Sequence, residues 1–192
     1  MRCMIGLIIA LLTLAACFDS VETAAQPDNQ ENIFAAEGFI DAFYSFDSTE
    51  LKSALSSAEE SIPSIVYYQG WAEGGNYEVV NRIPCKVKSV DLISCSITVK
   101  DDLVGALGID FNVTDTFELS FSDGRISSVK NSSNDPQIYY DAENWVRRQR
   151  SELILEPCRG FFDGGPTPGK CVQAMLQGYI EFAASDDFPG LL

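Results

Sequence analysis

Any chemistry in this sequence falls to carboxylates, phenols and thiols, because 28 acidic residues, seven tyrosines and six cysteines are accompanied by no histidine. Without imidazole there is no Ser-His-Asp or Cys-His activation of a nucleophile, and no histidine metal site. The stretch GGPTPGKC, residues 164–171, nearly spells a phosphate loop: Gly164, four residues, then Gly169 and Lys170. Such a loop cradles phosphate with successive backbone N–H groups and holds magnesium with a hydroxyl. Pro166 and Pro168 lack that N–H and Cys171 stands in the hydroxyl position, so no nucleotide is expected here. In DFNVTDTFE, Asp110, Asn112 and Thr114 have calcium-loop spacing, but the loop glycine is missing and Phe121 replaces the bidentate glutamate, so no metal is expected either. What survives is a phenol paired with a carboxylate, an arrangement that burial can tune for proton transfer. Tyr44, Tyr68 and Tyr77 are the donors to consider, with Asp110, Asp115 or Glu118 as bases. Asp115 and Glu118 themselves read as solvated strand or loop residues.

The cysteines and the first residues set the compartment. MRCMIGLIIALLTLAAC carries one basic residue, Arg2, and then an uncharged run too short for a bilayer, which needs about 20 apolar residues. It reads as a secretory signal over residues 1–16. Leu14, Ala15, Ala16 and Cys17 resemble the lipoprotein signal-peptidase box of bacteria, in which the cysteine sulfur receives a diacylglyceryl group. Ordinary cleavage near Thr23, Ala24 and Ala25 is the alternative. Residues 17–29, polar and small, then form a tether, so the expected address is outside the cytoplasm on a bacterial membrane. A net charge of −15 with no basic stripe repels phosphate backbones and excludes nucleic acid as a partner. Arg147, Arg148 and Arg150 cluster, but Glu143 and Glu152 lie at pairing distance along a helix.

Past Cys17 four cysteines remain, and four allow three pairings. If KVKSVDLIS is a hairpin with Ser89, Val90 and Asp91 at its tip, Lys88 faces Leu92 and Cys85 lies opposite Cys95, within reach of a disulfide. Cys158 and Cys171 then close a Gly- and Pro-rich loop. No cofactor is expected, since neither spacing suits zinc or a dithiol redox motif.

These residues need elements to position them. Asp28 with Glu31 opens a helix carrying Ile33, Ala36, Ile40, Phe43 and Tyr44, and Asp47 with Glu50 opens a short second one. A third starts at Pro63 and ends at Gly74 and Gly75, with Ile65, Tyr68, Trp71 and Ala72 on one face. From Asn76 the period becomes two. Ile93, Cys95, Ile97 and Val99 alternate with polar residues, as do Phe117, Leu119 and Phe121, and Asp123-Gly124 signals a tight hairpin. DDLVGALG forms a turn of helix between the hairpins. Two further helices follow, one around Tyr139, Trp145 and Val146, the other capped by Thr167 and Pro168 and carrying Val172, Met175, Leu176 and Tyr179. The class is α+β, N-terminal helices packed on an antiparallel sheet with a C-terminal helical extension.

That order, with YYQGWAEGGNYEVV, the paired cysteines and DTFELSFSDGRISSVKN, resembles the nuclear transport factor 2-like fold, in particular its SnoaL-like bacterial members. The resemblance covers residues 30–134 and leaves 135–192 as an extension of the same domain. It implies a bent sheet wrapped on helices into a cone, with a pocket at the open end. Tyr44, Tyr68, Trp71, Asn76, Tyr77 and Trp145 are the expected wall residues, Asn76 and Tyr77 falling where helix gives way to sheet. Phe43 and Trp71 also read as core. Apolar walls with few polar groups suit a small apolar ligand. The expected role is a non-catalytic envelope module that binds such a ligand or a protein partner, with a homodimer also implied by the family. The alternative implied by related isomerases and lyases, ketosteroid isomerases among them, is catalysis by a tyrosine and a buried carboxylate.

Overall fold

The computed structural model describes residues 29–160 and 169–189. The signal, Cys17, the tether up to Asp28, and the expected caps Thr167 and Pro168 lie outside the described residues.

The N-terminal helices follow their local signals. Helix α1 (Asn29–Tyr44) buries Ala36, Phe39, Ile40 and Phe43 at helical spacing, Phe39 joining the expected stripe while Ile33 is half-buried. Asp47 caps α2 (Ser48–Ala54), its carboxylate accepting from the N–H groups of Thr49 and Glu50 at 2.7 and 3.3 Å. A single 3-10 turn, Glu59–Ser61, which nothing in the sequence announced, leads into α3 (Ile62–Gly74). Pro63 sits in the first turn of α3, where its missing N–H costs nothing, and Gly75 is the C-cap.

Five antiparallel strands follow: β1 (Glu78–Arg82), β2 (Lys86–Ser89), β3 (Leu92–Lys100), β4 (Val113–Ser122) and β5 (Arg125–Ser133). The order is β1-β3-β4-β5, and β2 also pairs with β3. β1 meets the Ile97–Lys100 end of β3 and β2 the Leu92–Ser94 end, so both share one edge of that strand. Pro84 lies between them, where no ladder hydrogen bond is asked of it. The β2–β3 hairpin needs one correction. Lys86 and Val87 pair with Ser94 and Ile93 as expected, but Ser89, not Lys88, faces Leu92, because a bulge at Lys88 inserts an extra residue and shortens the tip to Val90 and Asp91. The register beyond the bulge is unaffected, and Cys85–Cys95 forms with Cα atoms 4.3 Å apart. Cys158–Cys171 is the second disulfide. At the β4–β5 turn Asp123 and Gly124 both take positive φ, 51° and 73°, the pairing that a two-residue hairpin demands.

A short helix α4 (Asp102–Ala106) joins β3 to β4. The C-terminal extension holds α5 (Gln137–Gln149), a brief α6 (Ser151–Ile154) that interrupts the expected two-helix pattern, and α7 (Gly169–Ala183). α7 packs on α3, α4, α5 and α6 through Val172, Met175, Tyr179 and Phe182. Its approach to α3 is close: a Cβ at Gly74 would lie 2.7 Å from Val172 Cβ. The core sits between α1 and α3 on one side and the inner face of β3 and β4 on the other. Phe117 of β4 meets Phe39 and Phe43 of α1 at ring-centroid distances of 5.5 and 4.8 Å. Each such ring withdraws enough apolar surface to favour folding by roughly 2–3 kcal/mol. Near the end of α5, Arg147 pairs with Glu143 and Arg150 with Glu152, as charge spacing suggested, and Arg150 also reaches Glu181 of α7, which that spacing did not suggest.

Candidate functional site

Asp115 is the ionisable group placed deepest in the sheet. It lies mid-strand in β4, opposite Ile97 and Ser133, and shares its side of the strand with Val113, Phe117, Leu119 and Phe121. Its exposure is 0 %, which corrects the reading of a solvated residue, while Glu118 and Asp110 are exposed as carboxylates usually are. A bare carboxylate in such a place is costly, and two phenols answer it. Tyr44, the last residue of α1, donates to Oδ2 at 2.7 Å, and Tyr68 of α3 donates to Oδ1. Burial pushes the Asp115 carboxyl up to about 6, with Tyr68 and Tyr44 opposing that rise and Asp135 adding to it. Burial, then the charge of Asp115, raises both phenols, so Tyr44 and Tyr68 remain protonated donors at neutral pH.

A second buried acid caps α4. Asp101 Oδ1 accepts from the Leu103 N–H at 2.7 Å, and the residue is 2 % exposed. Burial lifts it to about 7 against the pull of Leu103 N–H and the Tyr77 hydroxyl. Oδ2 makes no geometric hydrogen bond among the described residues. Gly75 permits this approach: a Cβ there would stand 3.1 Å from Tyr77 Cε1 and 3.3 Å from Asp101 Oδ1. Asn76 takes a left-handed φ of 53°, tolerable for asparagine, which turns the chain so that Tyr77 points inward while Asn76 itself is exposed.

Beside these acids is a cavity of about 190 Å³ lined by Tyr67, Tyr68 and Trp71 of α3, Tyr77, Asp135, and Tyr139 and Glu143 of α5. Trp71 Nε1 donates to Tyr139 Oη at 3.0 Å, joining the two helices across it. Asp135 accepts from Ser133 Oγ and from Tyr140 Oη, and Glu143 holds Arg147 at 3.2 Å. Larger depressions exist, one of about 630 Å³ among Ser56, Ser57, Glu59, Glu60, Ser127 and Lys130, but it brings no aromatic ring or buried acid to its surface.

Of the six wall residues named from sequence, Tyr68, Trp71 and Tyr77 line the aromatic cavity together. Tyr44 lies behind it on Asp115, and Asn76 is the exposed pivot of the turn. Trp145 faces elsewhere, against Phe182 with Nε1 on Asp187 at 2.8 Å. Trp145 falls six residues after Tyr139 on α5, well over one and a half turns, which carries it to another side of the helix. Tyr139, Glu143 and Asp135 escaped sequence reasoning because nothing local ties α5 to α3. Asp115 did carry a signal: two-residue parity with Phe117 and Leu119 puts it on the buried face. No helix among the described residues is long and apolar enough to cross a membrane. Compared with known protein families, curated proteins and solved structures, the chain matches none.

Proposed function

We propose that this chain is an exported, lipid-anchored module of nuclear transport factor 2-like type that binds a small molecule between α3, the Tyr77 turn and α5. The order of helices followed by an antiparallel sheet supports the family reading, and two disulfides support an oxidising compartment. The observation that carries the binding role is the convergence of five aromatic side chains, from two helices and a turn, on one cavity of about 190 Å³. Concave aromatic sites with a few polar groups are where proteins hold small ligands. Native mass spectrometry of the purified full chain, released gently from detergent, tests this. A co-purifying small molecule, lost on substituting Trp71→Leu, is expected; titration of a broad set of small molecules with no binding at all would refute it.

A catalytic reading has one specific observation in its favour, the Tyr68–Asp115 pair with a carboxyl raised to about 6. General acid–base catalysis needs such a group within reach of substrate. Asp115 itself does not line the cavity, and only Tyr68 of the pair does. The pair therefore serves better as a strut that sets Tyr68 in the wall, and the binding reading is preferred.

A further inference from the structure

The wall of the cavity is rich in acceptors and ring faces. The phenol proton of Tyr68 is committed to Asp115, so toward the cavity its oxygen has only lone pairs to offer. The indole N–H of Trp71 is committed to Tyr139. Asp135 and Glu143 add carboxylate oxygens, which when ionised accept and never donate. Among the described residues no lysine or arginine lines the cavity, and Arg147, whose charge reaches Tyr67, is engaged by Glu143. Behind the wall stand Asp115 and Asp101, both buried. An anion would meet two carboxylates in the wall and no lysine or arginine among the described residues that line it. Asp135 and Glu143 already hold Ser133, Tyr140 and Arg147 through one oxygen each, and a carboxylate has lone pairs for more, which a neutral apolar molecule would leave unused.

We infer, resting on the binding role proposed above, that the ligand is a small organic cation, an alkylammonium group seated against the faces of Trp71 and the tyrosines with the Asp135 and Glu143 carboxylates beside it. Ring faces carry negative potential and attract ammonium groups, most of all when water is displaced. The size agrees: about 190 Å³ equals roughly six waters at about 30 Å³ each, enough for a trimethylammonium head with part of its chain. The net charge of −15 draws cations toward the surface in general, and the cavity adds five ring faces to that attraction.

The test is isothermal calorimetry on the full chain in non-ionic detergent at fixed ionic strength, with tetramethylammonium, n-butylammonium, n-butanol and butyrate as probes. The ammonium probes are expected to bind about tenfold or more tighter than n-butanol, and butyrate not at all. Asp135→Asn and Trp71→Leu should each weaken the ammonium probes severalfold, whereas Glu60→Gln, on the far serine-lined depression, should not. Should Trp71→Leu fail to fold, Asp135→Asn, at a half-buried loop position, still decides. Equal binding of n-butanol and n-butylammonium overturns the charge assignment and leaves a neutral-ligand pocket. Ammonium binding indifferent to both cavity variants also overturns it, as surface counter-ion attraction. Silence from both ammonium probes overturns it too, whereas the pocket reading on which it rests falls only if the broad titration and the mass spectrometry described above also find no ligand.

Discussion

Replacing Asp115 by asparagine should change how the stability of this protein depends on pH, and the size of the change follows from the site. The folded carboxyl is raised to about 6 from the 3.8 of an unperturbed aspartate, with Tyr68, Tyr44 and Asp135 as the groups that face it. A raised carboxyl means that the folded state holds the proton more tightly than the unfolded chain. Between the two values the unfolded state binds fewer protons, so stability falls as pH rises through this window. The full effect is about 3 kcal/mol at 1.36 kcal/mol per unit, of which about 2 kcal/mol falls between about pH 4.5 and about pH 7.5. The asparagine side chain keeps the shape and one acceptor but does not titrate. The stability of Asp115→Asn relative to the parent should therefore improve by about 2 kcal/mol from the acid to the neutral end. Relief of repulsion in a chain of net charge −15 affects both proteins alike and cancels in the difference. Urea unfolding followed by tryptophan fluorescence at several pH values measures it. Parallel curves for the two proteins would refute the burial-driven shift on which the account of the site depends.

Further outcomes follow from the same contacts. Tyr68→Phe removes the stronger brake on the Asp115 carboxyl and should cost about 1.5–3 kcal/mol at neutral pH but less in acid, readable in the same urea series. Gly74→Ala forces a Cβ into Val172 and should destabilise by about 1–3 kcal/mol, with Val172→Ala restoring part of the loss; an innocuous Gly74→Ala would contradict the close α3–α7 packing. Removing Cys158–Cys171 by paired serine substitution frees a loop of sequence separation 13 and should cost about 3 kcal/mol, a fall in Tm of roughly 6–12 °C by calorimetry.

Much of this architecture is written locally. Asp47 as a cap, Pro63 in a first helical turn, Asp123-Gly124 as a hairpin and the alternation along β3 and β4 each depend on a few neighbouring residues, and backbone sterics leave them little choice. The Cys85–Cys95 disulfide was legible for the same reason, since pairing outward from a hairpin tip is short-range arithmetic that a bulge at Lys88 disturbs only beside the turn. Parity even put Asp115 on the inner face, although a lone carboxylate there invites the opposite guess. Tyr44, Tyr68 and Asp115 were each candidates by residue type, but which of three phenols meets which of three carboxylates is not written along the chain. Tyr44 and Tyr68 come from 71 and 47 residues away, and Tyr139 meets Trp71 across 68. Those meetings depend on how α1, α3 and α5 pack against the sheet and one another, and packing is settled by the summed fit of the whole core. Sequence alone therefore determined the charge of this protein and most of its elements, the Glu59–Ser61 turn and α6 excepted, whereas its aromatic, acid-backed cavity exists only because the tertiary fold brings distant rings and carboxylates to one place.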